Sequence, residues 1–133
     1  MLRRLIFEKK DLEANKPSKW TLISANIPNN SNIKAVWTAS IKGPSQSIYD
    51  GYNLDVTIEI PLDYPYKPPA VKFVPAIFHP LVCEGKGCIC LDILTQNWSP
   101  ALTLRKAMDA IENILIDSNM YQDAKCEHPQ TSW

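Results

Sequence analysis

Three cysteines, Cys83, Cys88 and Cys90, lie within eight residues of one another. Cysteine thiols pair as disulfides, bind metal ions or act as nucleophiles, and the thiolate is the form that binds or attacks. The remaining composition is that of an ordinary globular protein and not of a disulfide framework, so reduced thiols are the simpler interpretation. The fourth cysteine, Cys126, is interpreted as a small buried apolar residue.

Two other uses of these thiols stay open from the residues alone. In an extended segment Cys88 and Cys90 would face the same side, so Cys88 could act as a resolving thiol or be a site of oxidation. Together with His79, the three clustered cysteines could also form a metal site. Their C-x4-C-x-C spacing is not that of a usual zinc knuckle, so we expect no metal.

Length and charge limit the classes of function that this chain can have. With 133 residues and 45% hydrophobic content, it is expected to form a single domain over residues 1–133. Its formal net charge is zero, which favours a protein partner over nucleic acid or an anionic membrane. The apolar stretch at residues 1–7 is too short for a secretory signal or a spanning helix, so we expect a cytoplasmic or nuclear location.

Hydrophobic periodicity predicts the elements that must position the cysteines. Residues 2–13 are expected to form an amphipathic helix, and a second helix with an apolar stripe should follow Thr103 as its N-cap. Four strands of an antiparallel meander, on which the second helix packs, are expected between them. The strands are placed at residues 20–24, 36–41, 54–60 and 70–74, and the apolar face of the first helix at Leu2, Leu5, Ile6 and Leu12.

Residues 75–100 show no period and are rich in proline, glycine and cysteine. Long irregular segments of this kind are usually functional. The segment includes the motifs His79-Pro80, Gly87-Cys-Ile-Cys-Leu-Asp-Ile-Leu94 and the start of Trp98-Ser-Pro-Ala-Leu-Thr103, and the motif Tyr64-Pro-Tyr-Lys-Pro-Pro69 precedes it.

In their order and spacing these motifs resemble the ubiquitin-conjugating enzyme family, over about residues 1 to 123. The resemblance implies an α+β fold, the UBC fold. This fold has an N-terminal helix, a four-stranded antiparallel meander, an irregular active-site segment and a central helix. Family members usually carry two further C-terminal helices, and the short remainder after Asp117 predicts that this helical region is truncated here.

The resemblance also implies an acyltransferase that carries ubiquitin as a thioester on Cys90. A thiolate suits this role because it is nucleophilic near neutral pH and its thioester stays reactive toward amines. The implied partners are ubiquitin, an activating enzyme and a ubiquitin ligase, without nucleic acid or membrane. No cofactor is implied, since the activating enzyme uses the ATP. The short Thr95–Asn97 connection resembles ubiquitin carriers and lacks the insertion of the SUMO carrier.

One position departs from the family pattern. Leu81 stands where the family has the asparagine of a His-Pro-Asn motif, which stabilises the oxyanion or holds the active-site loop. Loss of one oxyanion donor costs about 10²–10³ in rate. Asn97 or Asn119 could supply the donor, the chain could pass ubiquitin only to a ligase cysteine, or it could be impaired. The second outcome is favoured.

Further site residues follow from the resemblance. Asp123 could lower the pKa of an incoming lysine, or it could be a solvated carboxylate. The four residues that match ligase-contact loops are Tyr66, Lys67, Pro100 and Ala101, although Tyr66 could instead pack the proline-rich turn. The basic residues of the first helix, which match the activating-enzyme contact or form a solvated face, are Arg3, Arg4, Lys9 and Lys10. The residues interpreted as structural in the active-site loop are His79, Pro80, Leu81 and Trp98.

A second class of function fits the same sequence. A variant of the family could scaffold other proteins without chemistry. Leu81 and the short C-terminus favour this reading, and the retained Cys90 opposes it.

Overall fold

The structure is a computed structural model that describes residues 2–30, 32–45, 47–74, 77, 79, 82, 87–89 and 91–116, with the backbone alone at residue 92. Both predicted helices and all four predicted strands are present, each within two residues of its expected bounds. The elements are α1 Leu2–Ala14, β1 Trp20–Ala25, β2 Ala35–Lys42, β3 Asn53–Ile60, β4 Ala70–Phe73, a 3₁₀ helix Asp92–Leu94 and α2 Leu104–Ile116. The predicted truncated C-terminal helical region lies outside the described residues.

The four strands form an antiparallel sheet in the order β1-β2-β3-β4, so the predicted meander is confirmed. Side chains alternate between the two faces of a strand. Every second residue of β2 and of β3 is apolar and buried, and these residues lie on the same face of the sheet. These residues and the apolar stripe of α2 belong to one hydrophobic core. The α+β class is therefore confirmed. The buried residues of the three elements include Trp37, Ile41, Val56, Ile58, Met108 and Ile111.

The buried face of α1 differs from the predicted one. Leu5 and Leu12 are buried as expected, but Glu8 lies between them and is 4% exposed, whereas Ile6 is 40% exposed. Residue 8 follows residue 5 by three positions and precedes residue 12 by four, so these three share one helical stripe and residue 6 does not.

Neither α1, α2 nor any other helix in the described part of the chain is long and apolar enough to cross a membrane.

The C-terminal end of α1 is joined to α2 by Arg105. Its Nε donates to Asp11 Oδ2 at 3.2 Å, and its Nη2 donates to the carbonyl oxygens of Asp11 at 3.3 Å and Asn15 at 2.6 Å. The last carbonyls of a helix have no partner within the helix and carry partial negative charge, which a guanidinium satisfies. This contact fixes one end of α1 against the start of α2.

A short stretch of the irregular segment runs along the edge of β4. Cys88 forms a bridge with Lys72, and the Phe73 amide donates to the Gly87 carbonyl at 2.8 Å. Gly87 has φ of 75°, a conformation that side-chain-bearing residues rarely adopt, and a Cβ there would lie 2.0 Å from the Phe73 carbonyl oxygen. Glycine at this position therefore allows residues 87–89 to approach the sheet.

We expect Gly87→Ala to destabilise the protein by about 2–5 kcal/mol, because the costs of the left-handed conformation and of the clash with Phe73 add together. Gly51→Ala is the matched control: Gly51 has φ of 87°, but its Cβ would meet no atom within 4 Å. The free energy of unfolding of Gly51→Ala should fall only by the conformational cost, about 1–2 kcal/mol. Urea unfolding of both variants checks this, and equal losses would contradict the proposed close approach.

Candidate functional site

The segments on both sides of Cys90 are held by the core. Before it, Ile89 is fully buried and forms a bridge with Val82. After it, Leu91 packs against the core, and the 3₁₀ helix ends at Leu94, which is 1% exposed. Cys90 itself lies outside the described residues, so its catalytic role stays a prediction. Its two neighbours in the chain nevertheless have defined positions.

The other members of the thiol cluster are placed only in part. Cys88 is buried, is not in a disulfide and lies beside β4. Cys83 and Cys126 lie outside the described residues, as does Cys90, so neither the resolving-thiol reading nor the four-residue metal set is tested. Among the residues that the structure does describe, no group of three or more His, Cys, Asp or Glu side chains is arranged to hold a metal ion.

His79 connects the irregular segment to the end of α2. Its buried ring donates from Nε2 to the Ile114 carbonyl oxygen at 2.7 Å and stacks on Tyr49, with 6.4 Å between the ring centroids. Burial lowers the pKa of His79 below its ordinary value, so the ring is neutral in the folded protein. Burial also raises the pKa of Tyr49 to about 12. The adjacent Pro80 and Leu81 lie outside the described residues.

Trp98 connects the turn after the 3₁₀ helix to the proline-rich loop. Its Nε1 donates to the Pro65 carbonyl at 2.8 Å, and its ring lies 5.9 Å from that of Tyr64. The Tyr64-Pro65 peptide bond is cis. Asn97 lies in the same turn with its side chain exposed to solvent, whereas Asn119 and Asp123 lie outside the described residues.

The four predicted ligase-contact residues are exposed. Tyr66 is 79% exposed, so the alternative in which it packs the proline-rich turn is wrong. Lys67 pairs with Asp63, with 3.3 Å between Nζ and Oδ2, and both side chains remain open to water. Pro100 and Ala101 are exposed in the turn before α2. An exposed aromatic ring beside small residues is a suitable anchor for a protein partner.

The predicted solvent-facing basic set needs one correction, at Arg4. Its Nε donates to Glu8 Oε2 at 2.9 Å, and its Nη2 donates to the carbonyls of Pro100 at 2.9 Å and Leu102 at 2.7 Å. The guanidinium faces inward because it neutralises a buried carboxylate. Arg3 and Lys10 are exposed and Lys9 is half-buried, so these three keep accessible side chains.

Glu8 is a structural residue that the sequence reasoning missed. Its Oε2 accepts from the Tyr64 hydroxyl at 2.6 Å as well as from Arg4, and its Oε1 accepts from the Leu104 amide at 2.7 Å. Burial, followed by the bond to Glu8, raises the pKa of Tyr64, which keeps this hydroxyl a donor. An acid on the apolar stripe of a helix, with an arginine four residues earlier, is the signal that could have revealed it.

The chain is similar to known proteins along most of its length. A family model described as ubiquitin-conjugating enzyme matches residues 4–131. The crystal structure of a candidate ubiquitin-conjugating enzyme from Plasmodium yoelii is 41% identical with a TM-score of 0.71, over 87% of this chain and 72% of that one. The E2 domain of a Toxoplasma gondii ubiquitin-conjugating enzyme is 39% identical with a TM-score of 0.72, over 87% of this chain and 74% of that one.

The burial of His79 predicts a loss of stability in mild acid. Below pH of about 6.5 the unfolded chain takes up a proton that the folded ring resists, so the free energy of unfolding should fall by up to about 1.4 kcal/mol per pH unit. Urea unfolding between pH 7.5 and 5 measures this. His79→Gln should remove the slope, and His128→Gln, which changes the chain's other histidine, should retain it. A slope that survives in His79→Gln would contradict the assignment.

Proposed function

Because the chain belongs to the ubiquitin-conjugating enzyme family, we propose that it accepts ubiquitin from an activating enzyme as a thioester on Cys90. One observation carries this proposal. Cys90 lies between residues 87–89, which run along β4, and the 3₁₀ helix at residues 92–94. Chain segments that are held on both sides of a nucleophile restrict its position. This restriction speeds the reaction, because less entropy is then lost in reaching the transition state.

The charging step exchanges one thioester for another. The Cys90 thiolate attacks the carbonyl carbon of the thioester on the activating enzyme, a C–S bond forms to Cys90, and the activating enzyme's sulfur leaves as a thiolate. No metal or organic cofactor takes part, and the ATP is used earlier by the activating enzyme. Discharge to a ligase cysteine repeats this exchange. Discharge to a lysine forms an amide C–N bond, breaks the C–S bond so that the Cys90 thiolate leaves, and requires the amine to lose a proton.

We further propose that discharge to a ligase cysteine predominates over direct attack by lysine. Leu81 has no side-chain donor for the oxyanion that forms in either reaction. A ligase active site can provide its own donor during thiol exchange, but a free lysine brings none. Of the three candidate supporting residues, Asn97 lies in the described part of the chain, and its exposed side chain is available for a supporting role.

Two surfaces serve the proposed partners in the cytoplasm or nucleus. Tyr66, Lys67, Pro100 and Ala101 form the ligase surface, which their exposure supports. Arg3, Lys9 and Lys10 contact the activating enzyme through the accessible side of α1. Phe7 is 70% exposed on this helix and adds an apolar anchor among these charges.

A non-catalytic scaffold is the second candidate, and Leu81 is the residue that favours it. Both candidates use the same fold and the same partner surfaces. They differ in whether Cys90 forms a thioester, so a single charging assay separates them.

We predict a ubiquitin adduct that depends on Cys90. Incubation with ubiquitin, activating enzyme and ATP should yield an adduct on a non-reducing gel that thiol reagents remove. Cys90→Ser should instead trap an adduct that resists thiols, because an oxygen ester is less reactive than a thioester toward thiolates. Cys88→Ser is the matched control and should charge normally.

The charged wild-type protein should then be discharged by free cysteine, whose thiolate is nucleophilic near neutral pH, and much less by free lysine, whose amine must lose a proton at a site where Leu81 offers no donor. Rapid discharge by lysine would contradict the proposed bias toward ligase cysteines. A chain that forms no adduct with ubiquitin or its relatives would support the scaffold.

We also predict that charging depends on the accessible charges of α1. The double variant Arg3→Glu/Lys10→Glu should raise the KM for this protein in the charging reaction by about tenfold at low salt, with a smaller effect at high salt. Lys34→Glu/Lys42→Glu changes the net charge equally on exposed residues elsewhere and should leave the KM unchanged. Equal effects of the two double variants would refute a specific contact on α1.

A further inference from the structure

The two loops proposed to contact a ligase are both bonded to one cluster, formed by the partly exposed Arg4 and the buried Glu8 and Tyr64. We call it the Glu8 cluster. The 63–67 loop reaches it through Tyr64, whose hydroxyl donates to Glu8 Oε2 at 2.6 Å. The 99–102 loop reaches it through Arg4, whose Nη2 donates to the carbonyls of Pro100 and Leu102. The cluster therefore joins loops that are about thirty residues apart in the sequence.

The bonds within the cluster leave little freedom to either loop. The carbonyls that accept from Arg4 belong to the residues on either side of Ala101, so this residue is held from both sides. Tyr66 follows Pro65, whose carbonyl accepts from Trp98 Nε1 at 2.8 Å. The guanidinium carbon of Arg4 also lies 5.9 Å from the centre of the Tyr64 ring. Arg4 thus contacts both the aromatic side chain that anchors one loop and the backbone of the other.

Two members of the cluster, Glu8 and Tyr64, are buried, whereas the Arg4 side chain is 28% exposed. Glu8 is 4% exposed and Tyr64 is 1% exposed, so neither side chain can itself form a partner surface. Hydrogen bonds to charged groups are stronger than those between neutral groups, and they are more costly to break in a buried position. Glu8 and Tyr64 therefore act on any ligase only through the loops that the cluster holds, and Arg4 uses its donors on Glu8 and on the backbone of the 99–102 loop.

We propose that Arg4 and Glu8 are positioning residues for ligase binding, because they fix the spacing between the 63–67 and 99–102 loops. This inference rests on the proposed function of those loops as one ligase surface. A partner that contacts both loops gains affinity when they are already correctly spaced, since ordering them on binding would cost conformational entropy. The residues that contact the ligase remain Tyr66, Lys67, Pro100 and Ala101.

The chain provides a matched control for this role. Arg105 joins α2 to α1, as Arg4 joins α1 to the 99–102 loop, and it also donates from Nη2 to two backbone carbonyls, those of Asp11 and Asn15. It pairs with Asp11 as Arg4 pairs with Glu8. Its bonds reach neither of the two loops. Arg4→Lys and Arg105→Lys therefore make the same chemical change, with no change of charge, and only the first affects the loops.

The test compares these two variants with Tyr64→Phe and with the wild type. Isolated RING-type domains, taken from ligases that also carry an acceptor cysteine, are first screened for binding to the wild-type protein, and one that binds is the probe. Arg4→Lys should raise the Kd for this probe domain by about fivefold or more, and Tyr64→Phe should raise it by a smaller factor. Arg105→Lys should leave the Kd within about twofold of wild type. Amide hydrogen exchange should become faster at Ser99, Ala101 and Leu102 in Arg4→Lys and stay unchanged at these amides in Arg105→Lys.

The outcomes separate this inference from the proposed function. Equal Kd values for Arg4→Lys and Arg105→Lys, or a loss of affinity that follows the free energy of unfolding in both, would overturn the positioning role. Failure of every RING-type domain to bind the wild-type protein would also overturn it. Failure of the wild-type protein to accept ubiquitin would instead refute the proposed thioester chemistry, and the Kd and hydrogen-exchange comparisons would still decide the positioning role.

Discussion

The burial of one carboxylate, that of Glu8, is the constraint on which much of this structure depends. A buried carboxylate is stable only when donors satisfy it, and Glu8 receives donors from three parts of the chain. One of them, the Leu104 amide, belongs to the first turn of α2, where backbone amides have no helical acceptor and the helix dipole favours negative charge. The same side chain thus fixes the N-terminus of α2, the proline-rich loop and the inward direction of Arg4.

Local patterns in the sequence predict the elements well, because each element has a regular period. The sequence directly shows the alternation in β2 and β3 and the apolar stripe of α2. The predicted N-cap of α2 is also confirmed, since Thr103 Oγ1 accepts from the Lys106 amide at 3.2 Å. The role of Arg4 could not be read in this way. Its partners Pro100 and Leu102 are more than ninety residues away, and no period relates them. A basic residue on a helix is normally interpreted as facing solvent. Arg4 is predicted to face inward only if the buried acid with which it pairs, Glu8, is recognised first.

The candidate site was predictable in its motifs but not in its geometry. The resemblance identified Cys90, His79 and Trp98 by position, whereas the bond from His79 to Ile114 and the bond from Trp98 to Pro65 depend on tertiary packing. The pairing of residues 87–89 with β4 was not predicted either. Three residues are too few to show an alternation, and the close approach depends on the missing side chain of Gly87.

The arrangement of these contacts relates the proposed ligase surface to the proposed nucleophile. The 3₁₀ helix at residues 92–94 begins two residues after Cys90, Trp98 ends the turn that comes next, and Pro100 and Ala101 follow within three residues. Because Trp98 is bonded to the proline-rich loop, a ligase that contacts Tyr66 and Ala101 rests on the same short stretch of chain that leads from Cys90. On the proposed thioester chemistry, Leu81 cannot donate to an oxyanion, so this shared stretch of chain matters more than in a chain that has its own donor. On the same proposal, a ligase held at this surface brings both the acceptor thiol and the missing hydrogen bond to the thioester.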